Sequence, residues 1–263
     1  MSDGAVRPAA LVTGAGGRLG AAMAEALGAD GHAVAVHYAS SDDGAAATVD
    51  RIRAAGGRAV AIQADLLDLD AAEALVPRAA EALGAPLTVL VNNASIFEYD
   101  TLDSATRDSW DRHLVSNLQA PFLLMQAFAR QAPDATSDPE PLARANVVNL
   151  IDQRVRKPTP EFMTYTLAKS ALWTLTRTGA QALAPRIRVN AIGPGPTLRG
   201  ARQSASHFAR QRGATILERG ADPAGIVAAL RYLLTAPAVT GQLICVDGGQ
   251  HLAWRTPDVL GPE

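Results

Sequence analysis

Tyr165 and Lys169 stand four positions apart in TYTLAKSALWTLT, so on a helix both side chains leave the same face. A phenol has an ordinary pKa of about 10, and a nearby ammonium stabilises the phenolate and brings the group toward working pH, which suits a proton donor and its activator. Asp152 precedes the tyrosine by 13 residues and closely follows the apolar run VVNL. An ionised carboxylate only accepts hydrogen bonds and opposes negative charge growing on a carbonyl oxygen, which disfavours simple ketone reduction. It suits a substrate rich in N–H donors, and it can join a proton relay to a ring nitrogen as hydride reaches the adjacent carbon.

A second cluster lies near the start of the chain. Thr13-Gly14-Ala15-Gly16-Gly17-Arg18-Leu19-Gly20 joins an apolar run to the helical AAMAEALG. Glycines there let the backbone turn tightly and approach a pyrophosphate, which is held against the unpaired N–H groups and positive end of the following helix. The next apolar run ends in His37-Tyr38-Ala39-Ser40-Ser41, where a protein selecting NAD presents an acid to the ribose 2′-hydroxyl. No acid ends this run. Ser40, Ser41 and backbone N–H groups could donate to a 2′-phosphate that a carboxylate would repel, which favours NADP. Asp42 and Asp43 follow directly and pull the other way.

Positioning these groups takes a regular alternation of elements. Short apolar runs at 9–13, 33–37, 59–63, 87–91, 146–150, 188–191 and 243–246 predict seven strands. Helical spacing fills 19–28, 44–55, 70–83, 104–131, 162–183 and 223–234. The expected architecture is α/β: a Rossmann-type, doubly wound parallel sheet with helices on both faces, one domain over residues 1–263 with short tails at 1–8 and 254–263. Two stretches break the alternation. Residues 132–145, APDATSDPEPLARA, read as a surface loop, and residues 193–213, opening on GPGP, read as a polar, arginine-rich helix and a candidate lid. The candidate groups fall at strand C-termini, the edge where an open parallel sheet binds its ligand.

The glycine turn resembles the TGxxxGxG motif of the short-chain dehydrogenases, with Arg18 in place of the middle glycine. An arginine there resembles the pteridine reductase branch of that superfamily. The resemblance runs over residues 9–252. It implies that Gly14, Arg18 and Leu19 bind the cofactor, with the Arg18 guanidinium near its phosphates. His37, Tyr38 and Ser40 resemble the branch's second-strand pattern, less its usual arginine. Asp65, with Leu66 beside it, takes the position that contacts adenine. Asn93, Ala94 and Ser95 match the family's NNAG element, with serine for glycine. Pro194 and Gly195 match its PG element, with Thr197 placed for the carboxamide side of the cofactor.

At the chemical end, the resemblance makes Tyr165 the proton donor and Lys169 its activator and a ribose ligand. Asn117 matches the asparagine that helps hold a water between the lysine and bulk solvent. Asp152 stands where most of the superfamily has serine and the pteridine reductase branch has aspartate. Phe97 stands where that branch stacks the pterin against nicotinamide, with Ser95 as its polar neighbour. The implied activity is NADP-dependent hydride transfer to a C=N bond of a pterin or folate-type ring, by a homotetramer.

Composition narrows the alternatives. A net charge of -2 leaves no basic field for nucleic acid or anionic lipid, so a small-molecule partner is expected. The single cysteine, Cys245, excludes an internal disulfide and reads as a core thiol in a reducing compartment. His32, His113, His207 and His251 have no ligand spacing and read as solvated or capping residues, so no metal is expected. No export signal and no run of about 18 apolar residues is found, which points to a cytoplasmic protein with no membrane contact. Two other readings stay open. One is a carbonyl reductase for a 3-oxoacyl or sugar-like ketone, which serine at 152 would have favoured. The other is a catalytically silent NADP-binding sensor, against which the intact Tyr165/Lys169 pair speaks.

Overall fold

Burial on both faces is what makes the apolar runs continuous, and it decides how the strands stack. The computed structural model describes residues 7–137, 139–200 and 203–254, so most of both expected tails lies outside the described residues. The strands are β1 (Ala9–Val12), β2 (Ala33–Tyr38), β3 (Arg58–Gln63), β4 (Leu87–Asn92), β5 (Ala145–Leu150), β6 (Ile187–Pro194) and β7 (Leu243–Val246). They form one sheet in the order β3-β2-β1-β4-β5-β6-β7, every neighbouring pair parallel.

The connections are α1 (Arg18–Ala29), α2 (Asp42–Ala54), α3 (Leu69–Leu83), α4 (Arg107–Leu114), α5 (Ala120–Gln131), α6 (Met163–Leu183), α7 (Ala205–Gly213) and α8 (Pro223–Thr235). Side chains alternate across each strand. Ala9 and Leu11 of β1 therefore join a core with Leu75 of α3 and Leu124 and Phe128 of α5. Ala10 and Val12 join a second core with Met23 and Leu27 of α1, Ile52 of α2 and Leu230 of α8. No helix among the described residues is long and apolar enough to cross a membrane.

Two boundaries depart from expectation. β6 runs to Pro194 rather than stopping at 191, because Ala191 to Pro194 pair with β7, a contact made across about fifty residues that local pattern cannot register. The helix expected over 104–131 begins at a capping box of Thr106 and Ser109 and carries a π turn at Val115–Gln119 before α5. Pro121, at the start of α5, has no N–H to donate back to Asn117, and a widened turn accommodates that loss.

The strand order reverses direction between β1 and β4, so their C-terminal ends flank a crevice, the ligand position of such sheets. β2 meets the same rim through His37. Its buried ring accepts from the Gly14 N–H at Nδ1 (3.0 Å), so the proton sits on Nε2, which donates to the Ala64 carbonyl at 3.0 Å. Burial, opposed in part by the bond to Ala64, pulls its pKa down to about 4. The folded state therefore resists a proton that the unfolded chain accepts below about 6.5, and stability is lost as pH falls from about 6.5 to about 4. The shift is worth roughly 3 kcal/mol. Urea midpoints measured between pH 7 and pH 4.5 are expected to fall, and to fall less steeply in His37→Gln, whose amide keeps a donor and an acceptor but does not titrate.

Candidate active site

The rim of β1 and β4 is stitched by polar groups that hold the glycine turn open. Thr13 Oγ1 accepts from the N–H groups of Asn93 and Ala94, each at 2.9 Å, and the Asn93 amide donates to the carbonyls of Thr13 (2.8 Å) and Gly14 (3.1 Å). At Gly14, φ is +62° and a Cβ would lie 2.9 Å from the Ala94 backbone; at Gly20 a Cβ would lie 2.3 Å from the Gly14 carbonyl. The turn therefore admits no side chain at either position. No side chain caps α1, so its first N–H groups face the crevice. A cleft of about 1500 Å³ runs from here past Ser40, Asp65 and Thr197 to Phe97 and Tyr165. Ser40 and Ser41 line it; Asp42 and Asp43 sit on the first turn of α2, outside the lining, with Asp42 hydrogen-bonded to Tyr38 of the cleft wall. A pyrophosphate and a 2′-phosphate both fit this donor set.

Arg18 has φ +53° at the position where the glycine motif has its middle glycine. Its Nη1 and Nη2 donate to the carbonyls of Arg199 (3.0 Å) and Leu198 (3.2 Å), tying the turn to the segment after β6. That segment leads into α7, which supplies His207, Phe208 and Gln211 to the cleft, as a lid would; residues 201 and 202 lie outside the described residues. Gly195 packs so closely on Asp247 that a Cβ would come within 2.5 Å, and Thr197 donates to the Gly195 carbonyl at 3.0 Å. Leu19, Tyr38, Leu66, Ser95 and Pro194 also line the cleft, and Asp65 Oδ1 accepts from the Leu67 N–H at 2.9 Å.

Beyond Leu150 the chain leaves β5, and Asp152 Oδ1 accepts from the Arg154 N–H at 2.8 Å, which fixes its carboxylate. The Tyr165 hydroxyl donates to Asp152 Oδ2 at 3.1 Å. Lys169, one turn along α6, lies 5.8 Å from the centre of the tyrosine ring and donates to the Leu150 carbonyl at 2.8 Å. Burial raises the Asp152 pKa against the pull of the Arg154 N–H and the nearby cations. Burial lowers Lys169 to about 8, and the Asp152 charge works against that fall. The expected depression of the phenol is not found. Burial, then the charge and hydrogen bond of Asp152, push Tyr165 well above the usual phenol range, so its proton is held in place.

Phe97 leans on this group at 4.7 Å, edge to face with Tyr165, and stacks on Phe162 with centroids 4.3 Å apart and planes 5° from parallel. Asn117 does not line the cleft: its amide accepts from the Ile96 N–H (2.9 Å) and donates to the Ile96 carbonyl (2.8 Å). In this arrangement it fixes the loop that bears Phe97 and holds no bond toward the lysine. His37 likewise commits both ring nitrogens to the protein, so it shapes the turn and offers no donor to a cofactor.

His113, expected at the surface, is fully buried. Its Nε2 accepts from the Glu98 N–H at 3.2 Å, so Nδ1 carries the proton and donates to Thr164 Oγ1 at 2.7 Å. Thr164 donates in turn to buried Asp100, which also accepts from the Thr164 N–H. The Asp100 carbonyl takes the N–H of Phe162 at 2.8 Å. These bonds pin the first turn of α6, one residue from Tyr165. A lone histidine among charged helix residues gave no sign of this, since its partners come from other elements. Cys245 is half-buried, and burial pushes its thiol up to about 11, as a packing role requires.

The short chain dehydrogenase profile matches residues 8–209. The chain belongs to the short-chain dehydrogenase family. Among family members of known structure it is similar to FolM alternative dihydrofolate reductase 1 of Brucella canis, solved with NADP: TM-score 0.89 and 43% identity over 97% of this chain and 98% of that one. It is 31% identical to pteridine reductase 1 of Leishmania tarentolae, over 96% of this chain and 99% of that protein. It is also 35% identical to 3beta-hydroxysteroid dehydrogenase 1 of Eggerthella lenta, over 92% and 93% respectively. Membership of this family accounts for the parallel sheet and its single Rossmann-type domain.

Arg18→Gly removes the guanidinium and relaxes the positive φ together. Fluorescence titration is expected to show weaker NADPH binding by about tenfold, the scale of one lost charged hydrogen-bonding group, with NADH affinity changed much less.

Proposed function

We propose that this protein reduces a C=N bond of a dihydropterin or dihydrofolate-like ring with NADPH. The observation that carries the reading is the hydrogen bond from the Tyr165 hydroxyl to Asp152 Oδ2 at 3.1 Å, which puts an acceptor where a ketone reductase of this family needs a donor. The NADP in the Brucella reductase and the name of the Leishmania relative support it. So do the serines on the cleft wall in place of an acid.

When bound, NADPH supplies the hydride. The glycine turn, Arg18 and Ser40 would hold its phosphates, and Asp65, Leu66, Asn93, Ala94, Pro194, Gly195 and Thr197 the remainder. Asp152 accepts from ring N–H groups and orients the substrate. Burial raises its pKa, which favours the protonated carboxyl and lets it pass a proton to the ring nitrogen beside the reduced carbon. Solvent restores that proton, and the Tyr165 hydroxyl, which keeps its own, orients the carboxyl through the bond they share. Lys169 keeps positive charge beneath the pair and binds ribose. One face of Phe97 is covered by Phe162, so a flat substrate takes the other face or displaces Phe162. Ser95 would meet the ring edge. The same reading makes the enzyme a cytoplasmic homotetramer, and exposed Trp110, Phe122 and Leu167 on α4, α5 and α6 are apolar surface of the kind a subunit contact covers.

NADPH oxidation against dihydrobiopterin, dihydromonapterin, dihydrofolate and several ketones tests the reading; turnover of ketones alone would overturn it. Asp152→Ser is expected to lower pterin turnover by about 10²-fold, on the scale of a lost acid-base group, and to raise turnover of a simple ketone. Tyr165→Phe should depress both. Wild-type turnover is expected to fall on the alkaline side near pH 8 as Lys169 loses its proton. In Asp152→Asn that limb should move to lower pH, because the aspartate charge is what raises Lys169.

A further inference from the structure

The cations that line the cleft differ in what already holds them. Arg112 pairs with Glu98 at 3.0 Å. Lys169 donates to the Leu150 carbonyl, and Arg18 sits at the glycine turn on two carbonyls. Arg154 lines the same cleft at the substrate end, and among the described residues it forms no ion pair with any carboxylate, its charge acting on Asp152 and Tyr165 only through space. One guanidinium nitrogen, Nη1, donates to Thr159. Its Nε is buried and has no acceptor. A buried charged N–H without an acceptor is costly, so the protein leaves this guanidinium under-satisfied, and it is as a lining cation of the cleft that it can meet a ligand.

The guanidinium also ends a column of rings. It lies over the face of Phe162, 5.1 Å from the centroid; Phe162 stacks on Phe97, and Tyr99 meets Phe162 edge-on at 5.2 Å. The contacts therefore run from Tyr165 through Phe97 and Phe162 to a positive charge. That order matches a reduced ring, then a flat apolar segment, then an anion. We propose that Arg154 binds a carboxylate carried beyond the reduced ring, with Phe162 and Tyr99 flanking the flat segment between them. The enzyme then prefers folate-type substrates with an acidic tail over pterins with a neutral side chain. Glu161 lines the same cleft and works against an anion, so the Arg154 charge has to outweigh it. This assignment rests on the pterin or folate reading of the site.

Calorimetric titration of the protein loaded with NADP⁺, which has no hydride to give, reads binding alone. Folate and biopterin serve as the probes. Arg154→Gln is expected to weaken folate about tenfold or more, the scale of a charge-assisted contact, and to leave biopterin within about twofold. Arg154→Lys should recover part of the folate affinity. In turnover, the Gln variant should raise KM for dihydrofolate with kcat nearly unchanged. Equal weakening of both probes overturns the assignment. So does a fall in kcat on every substrate at constant KM, which would place the Arg154 charge on Asp152 and not on the ligand. Failure of the underlying reading looks different: wild-type protein that binds NADP⁺ but neither probe overturns both.

Discussion

The hydrogen bond between Tyr165 and Asp152 exists only because two separately built elements are locked to each other. Asp152 lies past the end of β5, where the Ile151 N–H reaches the Ile192 carbonyl of β6 and continues the sheet register one step further. Tyr165 lies on α6, which is held to β5 by two buried polar ties. Asn149 donates to Thr176 at 2.9 Å and accepts from Asn92 of β4 at 2.8 Å, while Lys169 reaches the Leu150 carbonyl. A slip of α6 by one residue would turn the tyrosine through about 100° and separate it from the carboxylate. The Asp100, Thr164 and His113 contacts oppose that slip at the first turn of the helix, where fraying is otherwise easiest.

Electrostatics follow from that lock. Tyr165 and Lys169 are almost fully buried, and Asp152 is half-buried beside them. Desolvation pushes each toward its neutral form, and the opposite charges of Asp152 and Lys169 partly restore the ionised pair. Each charge is held less firmly without the other, because removing one partner takes away part of the compensation of a group that stays buried, with Arg154 also steadying Asp152. The tyrosine gains nothing from becoming anionic beside a carboxylate, so its proton stays on the bridge. A serine at 152 would remove the anion and let Lys169 act on the phenol without competition. The exchange of one side chain thus changes which group in the site is poised to release a proton.

Much of this was legible from the chain because it is local. The glycine turn, the strand-end serines and the four-residue spacing of Tyr165 and Lys169 each declare themselves within a single element, and the parallel sheet carries them to one rim. Long-range pairing was not legible. β6 gains its last residues from β7, and the π turn before α5 answers a proline whose effect depends on the turn that precedes it. The surroundings of His37, His113 and Asn117 are hidden in sequence for a related reason. Each is held by hydrogen bonds to groups that lie from 15 to 51 positions away. Arg154 escaped notice because what distinguishes it is an unmet donor, and that can be recognised only once every neighbour has been placed.

The substitution at Arg18 shows how a departure from a motif can be physically consistent. An L residue at φ +53° carries strain of about 1 kcal/mol that glycine would not. The guanidinium offsets it by donating to two carbonyls of the segment leading to α7, which otherwise would turn toward solvent. A guanidinium has five N–H donors in a fixed plane, and these two bonds engage one edge of it. Among the described residues these are the two bonds the guanidinium makes, so in the proposed function the same residue can hold the segment after β6 and still meet an anion at the mouth of the glycine turn. Lysine could reach the same place, but its ammonium is a compact point charge without that planar division of labour. The strained turn and the segment after β6 are therefore coupled through one side chain, and in the proposed function the same guanidinium also meets the cofactor phosphates.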